Sequence, residues 1–251
     1  MKRTILALGI ALATALLSPG TASASGLYTG AGYDASQYQC SNGVPTPLDS
    51  RFTSFAVIRV TGGRPFTADS CRQALWNAAE SSTALAPSLY VNVAYSGAYG
   101  RNVSGYCAGL ASSPESYTGS YLKAYRIGCA EGEYAFVHEP SVGAGQKANM
   151  MWWLDVETGN SWSSSDRRLN QAAIDGTADR LVTLSGVLVG VYSYPGSWNT
   201  ITTGSGFTPH SASATWVALS GGCGTSFIAA LPQWIRQYGS TATGYDADYA
   251  C

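Results

Sequence analysis

Short apolar runs, rich in β-branched and aromatic residues and separated by helical patterns, are the strongest constraint on the fold. Phe55 to Val60 ends at Gly62 and Gly63; Leu89 to Ala94, Met150 to Val156, Val187 to Tyr192, Thr215 to Leu219 and Gln233 to Tyr238 have the same strand-like character. Between the first two runs, residues 67–83 place Cys71, Ala74, Leu75, Ala78 and Ala79 at helical spacing, with Thr67 as the expected N-cap. A second helix is expected from near Ser165, burying Ile174, Ala178, Leu181 and Val182. Strands apolar on both faces, alternating with helices, specify a mainly parallel sheet covered by helices.

No G-x-G-x-x-G or P-loop pattern opens a helix, so there is no nucleotide signature. Several runs instead close on a polar or acidic residue. That favours an α/β fold of the barrel type, in which the strand ends gather one site. From Trp216 onward there is little room for helices between strands, so the expected form is an irregular β/α TIM-type barrel.

Of the 251 residues, 45% are hydrophobic and 12% charged, enough apolar material for a full core. Lys2 and Arg3, the apolar run Ile5 to Leu17 and the small-residue site Ala22-Ser23-Ala24 make residues 1–24 an expected signal peptide. Residues 25–251 are then a single domain, with an insertion at about 98–149. Removing residues 1–24 takes two basic residues and no acidic ones, leaving 12 Lys and Arg against 15 Asp and Glu. No basic patch with interleaved aromatics points to nucleic acid, and no later segment is built to span a bilayer. The expectation is a secreted, extracellular monomer with no membrane association once the leader is removed.

Cys40, Cys71, Cys107, Cys129, Cys223 and Cys251 form an even set in a chain read as exported, hence three disulfides. Fifteen pairings are possible; the sequential one, Cys40–Cys71, Cys107–Cys129 and Cys223–Cys251, is favoured because it closes three local loops. With two histidines in the chain and no C-x-x-C, neither a metal nor a cofactor is expected.

The chemistry concentrates in Trp152-Trp153-Leu154-Asp155-Val156-Glu157. Asp155 and Glu157 share a strand face roughly 7 Å apart, at the end of an apolar run where an ion is costly. Two carboxyls in one pocket separate their pKa values, as glycosidic cleavage requires. A solvated pair at a strand exit is the plain alternative. Asp34, in an opening short strand, and Asp246, in a closing one, would join them, because the first and last strands of a barrel are neighbours. Arg59 interrupts an apolar strand and needs a counter-charge, either in the lumen, where it would meet substrate, or as a structural ion pair. Asn92 is expected to face the lumen, and Tyr192 and Tyr194 could stack on sugar rings.

Taken in order, these pieces resemble glycoside hydrolase family 25, the lysozyme-type muramidases. The likeness includes Gly32-Tyr-Asp-Ala-Ser-Gln-Tyr-Gln39, Phe55 to Thr61, Trp153-Leu-Asp-Val-Glu157, Val189 to Ser193, and Gln237-Tyr238 followed by Tyr245 to Tyr249. It is closest to cysteine-bearing exported actinobacterial members of that kind. The resemblance implies that Glu157 is the general acid and Asp155 the residue that stabilises the reacting centre. Asp34 and Asp246 would complete the catalytic set. Arg59, Asn92, Tyr192, Tyr194 and Gln237 would touch substrate, a cell-wall polysaccharide with β-linked N-acetyl sugars, most plausibly peptidoglycan. Two rivals keep the fold: a barrel that binds cell-wall carbohydrate without turnover, and a disulfide-braced envelope protein that binds another protein.

Overall fold

A computed structural model describes residues 27–141, 151–219 and 222–251. Residues 1–24, read as a leader, and positions 142–149 of the expected insertion lie outside the described residues.

The strands are β1 (Ala31–Ala35), β2 (Cys40–Ser41), β3 (Val44–Pro45), β4 (Ala56–Arg59), β5 (Ser88–Asn92), β6 (Trp152–Asp155), β7 (Val189–Ser193), β8 (Ala212–Ala218), β9 (Gln233–Ser240) and β10 (Asp246–Ala250). Strands β2 and β3 make a small ribbon, and the other eight close into a barrel in the order β1-β10-β9-β8-β7-β6-β5-β4. Within the barrel every pairing is parallel except those of β10, which runs antiparallel to both β9 and β1. The helices are α1 (Arg72–Ser82), α2 (Gly105–Gly109), α3 (Gly119–Val137), α4 (Arg167–Ser185) and α5 (Pro195–Ile201). They occupy the crossovers from β4 to β8, whereas among the described residues no α-helix follows β8. The expected irregular barrel is therefore observed, and its irregularity lies where the sequence left no room for helices.

Alternation along the strands sorts the side chains into two cores. Ile58, Leu89, Val91, Leu154, Val189 and Val191 face outward and pack under Leu75, Trp76, Ile174 and Leu181 of the helices. Phe55, Val57, Tyr90, Met151, Trp153, Trp216 and Ile235 fill the barrel interior. Trp153 sits there because Gly190 opposite it has no side chain; a Cβ on Gly190 would fall 2.3 Å from the Trp153 ring. Outside, α3 and α4 cross closely through Gly128, whose Cβ would meet the Ala173 carbonyl at 1.8 Å.

One local expectation needs correction. Helix α1 starts at Arg72, not near Thr67, and Cys71 rather than Thr67 is its N-cap. An antiparallel bridge between Thr61 and Ala68 closes the intervening residues into a turn that includes Thr67, and the Asp69 carboxylate takes the Cys71 N–H at 2.8 Å. In the stretch expected to be an insertion, α3 is the crossover helix from β5 to β6 and packs along α4. All three disulfides adopt the sequential pairing: Cys40–Cys71, Cys107–Cys129 and Cys223–Cys251.

Candidate active site

At the C-terminal ends of the parallel strands lies a cavity of about 320 Å³, lined among others by Asp34, Arg59, Asn92, Asp155, Glu157 and Asp246. Asp34 and Asp246 are directly opposite each other across the β1–β10 pair, so the antiparallel last strand is what brings them together. Asp155 ends β6, and Glu157 stands on the turn that follows. That turn is tied down by its own sequence: Asn160 Nδ2 donates to the Val93 carbonyl at 3.1 Å, and Trp162 Nε1 to the Glu157 carbonyl at 2.7 Å.

Each carboxyl has a defined environment. Asn92 Nδ2 donates to Asp155 Oδ2, and the amide is oriented by Thr61, whose hydroxyl donates to Asn92 Oδ1 at 2.8 Å. Gln237 Nε2 donates to Asp34 Oδ2 at 2.7 Å, while Gln237 Oε1 accepts from the Tyr192 hydroxyl at 2.8 Å. Burial, with the adjacent Glu157 and Asp34 adding to it, pushes Asp155 well above the ordinary carboxylate range. Burial likewise raises Asp34, reinforced by Asp246. Burial also raises Glu157, opposed by hydrogen bonds with Tyr192 and Asp155. Asp246 is raised by burial against a hydrogen bond from Ser240.

Sequence reasoning expects Glu157 alone to be raised, with Asp155 held ionised by Arg59 or backbone donors. Both carboxyls rise instead. Arg59 Nε is engaged by Asp69 at 3.2 Å, and Asp69, fully buried, also accepts from the Gln37 N–H at 2.8 Å. Arg59 thus makes a structural ion pair, and its side chain also lines the cavity. Asn92 and Gln237 line it too. Tyr192 does so as a hydrogen-bonding residue, because its ring is packed against Trp216 at 4.4 Å between centroids. Tyr194 is not in the lining. It precedes Pro195 at the start of α5, where the strand alternation that would align it with Tyr192 has ended at Ser193.

Three solved structures share this arrangement of strands and helices. They are a muramidase from Trichobolus zukalii (18% identity, TM-score 0.60, covering 89% of this chain and 94% of that one), a bacterial lysozyme from Streptomyces coelicolor (18%, 0.60, 88% and 92%) and a family GH25 lysozyme from Aspergillus fumigatus (14%, 0.60, 87% and 92%). The fold is that of the family 25 lysozymes. No family sequence model and no curated protein matches the chain by sequence. The likeness to the family 25 lysozymes is therefore one of fold.

Several residues at this site were not anticipated. Tyr38 lines the cavity with a ring 79% exposed, its face 5.4 Å from the Arg59 guanidinium. Asp248, fully buried next to the acidic group, accepts from Trp216 Nε1 at 2.9 Å. Tyr38 lies in a short 3₁₀ turn, outside any periodicity. Asp248 carried a readable signal, since it is two residues from Asp246 on one strand. Among the described residues, Glu115, Asp179 and His210 bring ligand atoms within 4.8 Å of one another, but none of them lines the cavity, and His210 Nδ1 already pairs with Asp179 at 3.1 Å.

Proposed function

We propose that the chain is an exported glycoside hydrolase that cleaves β-linked N-acetyl sugars of a cell-wall glycan, with peptidoglycan as the substrate. The observation that carries this reading is convergence: Asp34, Asp155, Glu157 and Asp246 come from three strands distant in sequence and line one cavity. Export is supported by three disulfides in the described residues and by the leader-like residues 1–24.

The carboxyls of Asp155 and Glu157 titrate as a pair, losing two protons in two macroscopic steps. The singly protonated pair is the working form. Glu157, on the mouth side, gives its proton to the glycosidic oxygen as the C–O bond breaks and the electron pair leaves with that oxygen. Glu157 is left as a carboxylate, and Asp155, the member of the pair that was ionised from the start and is held in place by Asn92, stabilises the cationic sugar centre. Water then adds to the sugar and its proton returns to the pair. Tyr38, exposed at the rim, offers a ring face for a sugar. Arg59, Asn92, Tyr192 and Gln237 orient the carboxyls around the reacting sugar, and the protein acts as a monomer.

Clearing of purified cell-wall suspensions tests this. Glu157→Gln lowers the rate by about 10²–10⁴-fold while glycan binding is kept. Wild-type turnover by that variant removes Glu157 from the acid role. If parent and variant both bind the glycan and neither cuts it, the non-catalytic binding barrel replaces the hydrolase.

A further inference from the structure

The barrel holds a fifth carboxyl that the proposed reaction does not use. Asp248, on β10, is fully buried, and its Oδ1 accepts from Trp216 Nε1. Its Oδ2 is buried and has no hydrogen-bond donor. Asp248 pairs with Gly32 across β1 and β10, two residues from Asp34, so the Asp34 carboxyl stands beside it on the same face of the strand pair. Two carboxyls facing each other, one of them with a fully buried oxygen that no donor reaches, are satisfied together when a proton lies between them.

The surroundings decide which of the two holds that proton. Burial and the facing Asp246 raise Asp34, but it also receives a hydrogen bond from the Gln237 amide and lies near the positive Arg59, both of which favour its anion. Asp248 lies deeper, with Trp216 as its donor and Asp34, Asp246, Tyr28 and Tyr192 as its titratable neighbours; none of these is a cation. We propose that Asp248 is a positioning residue: a neutral carboxylic acid at the working pH that donates its O–H to Asp34 and so presents Asp34 to the cavity as an oriented anion. Burial, followed by the charge of Asp34, raises Asp248 well above the carboxylate range, in keeping with this geometry. The chain of contacts runs Tyr192, Gln237, Asp34, Asp248, Trp216, so one proton orders the wall of the cavity formed by β7, β8, β9, β10 and β1. The consequence for activity rests on the hydrolase reading; the location of the proton does not.

Two measurements separate these claims. The infrared carbonyl absorption of protonated carboxyls, recorded on the folded chain near neutral pH, loses one component in Asp248→Asn, because the amide now donates to Asp34 and no proton is needed. An unchanged protonated-carboxyl signal in folded Asp248→Asn overturns the proposal. In cell-wall clearing, Asp248→Asn keeps turnover within about threefold of the parent and extends it toward alkaline pH, whereas Asp248→Ala, which leaves Asp34 without that donor, loses about tenfold or more. Equal losses in the Asn and Ala variants overturn the positioning role. If the parent itself cuts no glycan, the hydrolase reading fails, and the infrared result alone still decides where the proton sits.

Discussion

At the residue scale the controlling contact is Asn92 against Asp155. The Thr61 hydroxyl fixes which end of the amide faces the carboxyl, so Asp155 is always offered a donor. That hydrogen bond pulls its pKa down against burial. In Asn92→Ala the donor is gone and Asp155 rises further, so the first deprotonation of the pair moves to higher pH. The acid limb of the kcat/KM profile on cell wall should shift up by about 1 pH unit or more, since a hydrogen bond to a charged group is worth about 1.5–3 kcal/mol. A profile that superimposes on the parent's would show that Asn92 does not tune the pair. Residues of this kind were legible where a polar side chain interrupts an apolar strand: Asp34, Arg59, Asn92 and Asp155 all announce themselves in that way. Asp69 and Tyr38 do not: Asp69 sits in a connecting segment and is placed by its ion pair with Arg59, and Tyr38 sits in a short 3₁₀ turn held by Ser36 and Gln39, outside any strand period.

At the element scale, strands were legible because alternation and β-branching survive in any surroundings, while a helix start depends on who takes its first N–H groups. Asp69, not Thr67, serves the start of α1. Helix α4 is capped by Asp166, whose side chain accepts from the Arg168 N–H, close to the start expected near Ser165. A second contact on α4 gives a pH prediction. His210, just before β8, bonds Asp179 of α4 at 3.1 Å and faces Glu115, from the segment before α3, at 3.7 Å. The Asp179 hydrogen bond raises the His210 pKa. A histidine raised on folding stabilises fully below its unfolded value of about 6.5, and that contribution fades as pH rises through the folded value. His210→Gln should therefore lower the urea midpoint at pH 5.5 and lose that deficit by about pH 8.5. A deficit constant across that range would mean the ring acts by packing, not charge. The clamp joins α4, β8 and the segment ahead of α3, so its loss leaves the cavity lining untouched.

At the scale of the whole molecule the barrel depends on its last strand. β10 alone runs against its neighbours, and it carries Asp246 and Asp248 to face Asp34 on β1. The closure was legible only in part: acidic residues in the first and last strands suggested it, but strand direction is a property of connections, and the short link from Ser240 to Asp246 fixes it as a hairpin. Past Ala250 the chain is held by the Cys251 N–H to the Trp234 carbonyl at 2.8 Å and by the Cys223–Cys251 bridge, which spans 28 residues. Closing a loop of that length restricts the unfolded chain by about 3–4 kcal/mol. The Cys107–Cys129 bridge spans 22 residues and should be worth about as much, yet it braces α2 against α3, away from the acidic group. Replacing both cysteines of either pair by serine should thus lower stability comparably in denaturant titrations. Only the Cys223/Cys251 double variant should also lose cell-wall clearing while still folded, because fraying of β10 separates Asp246 and Asp248 from Asp34. Equal activity in the two folded variants would mean that hydrogen bonding to β9 and β1 seats β10 without the bridge.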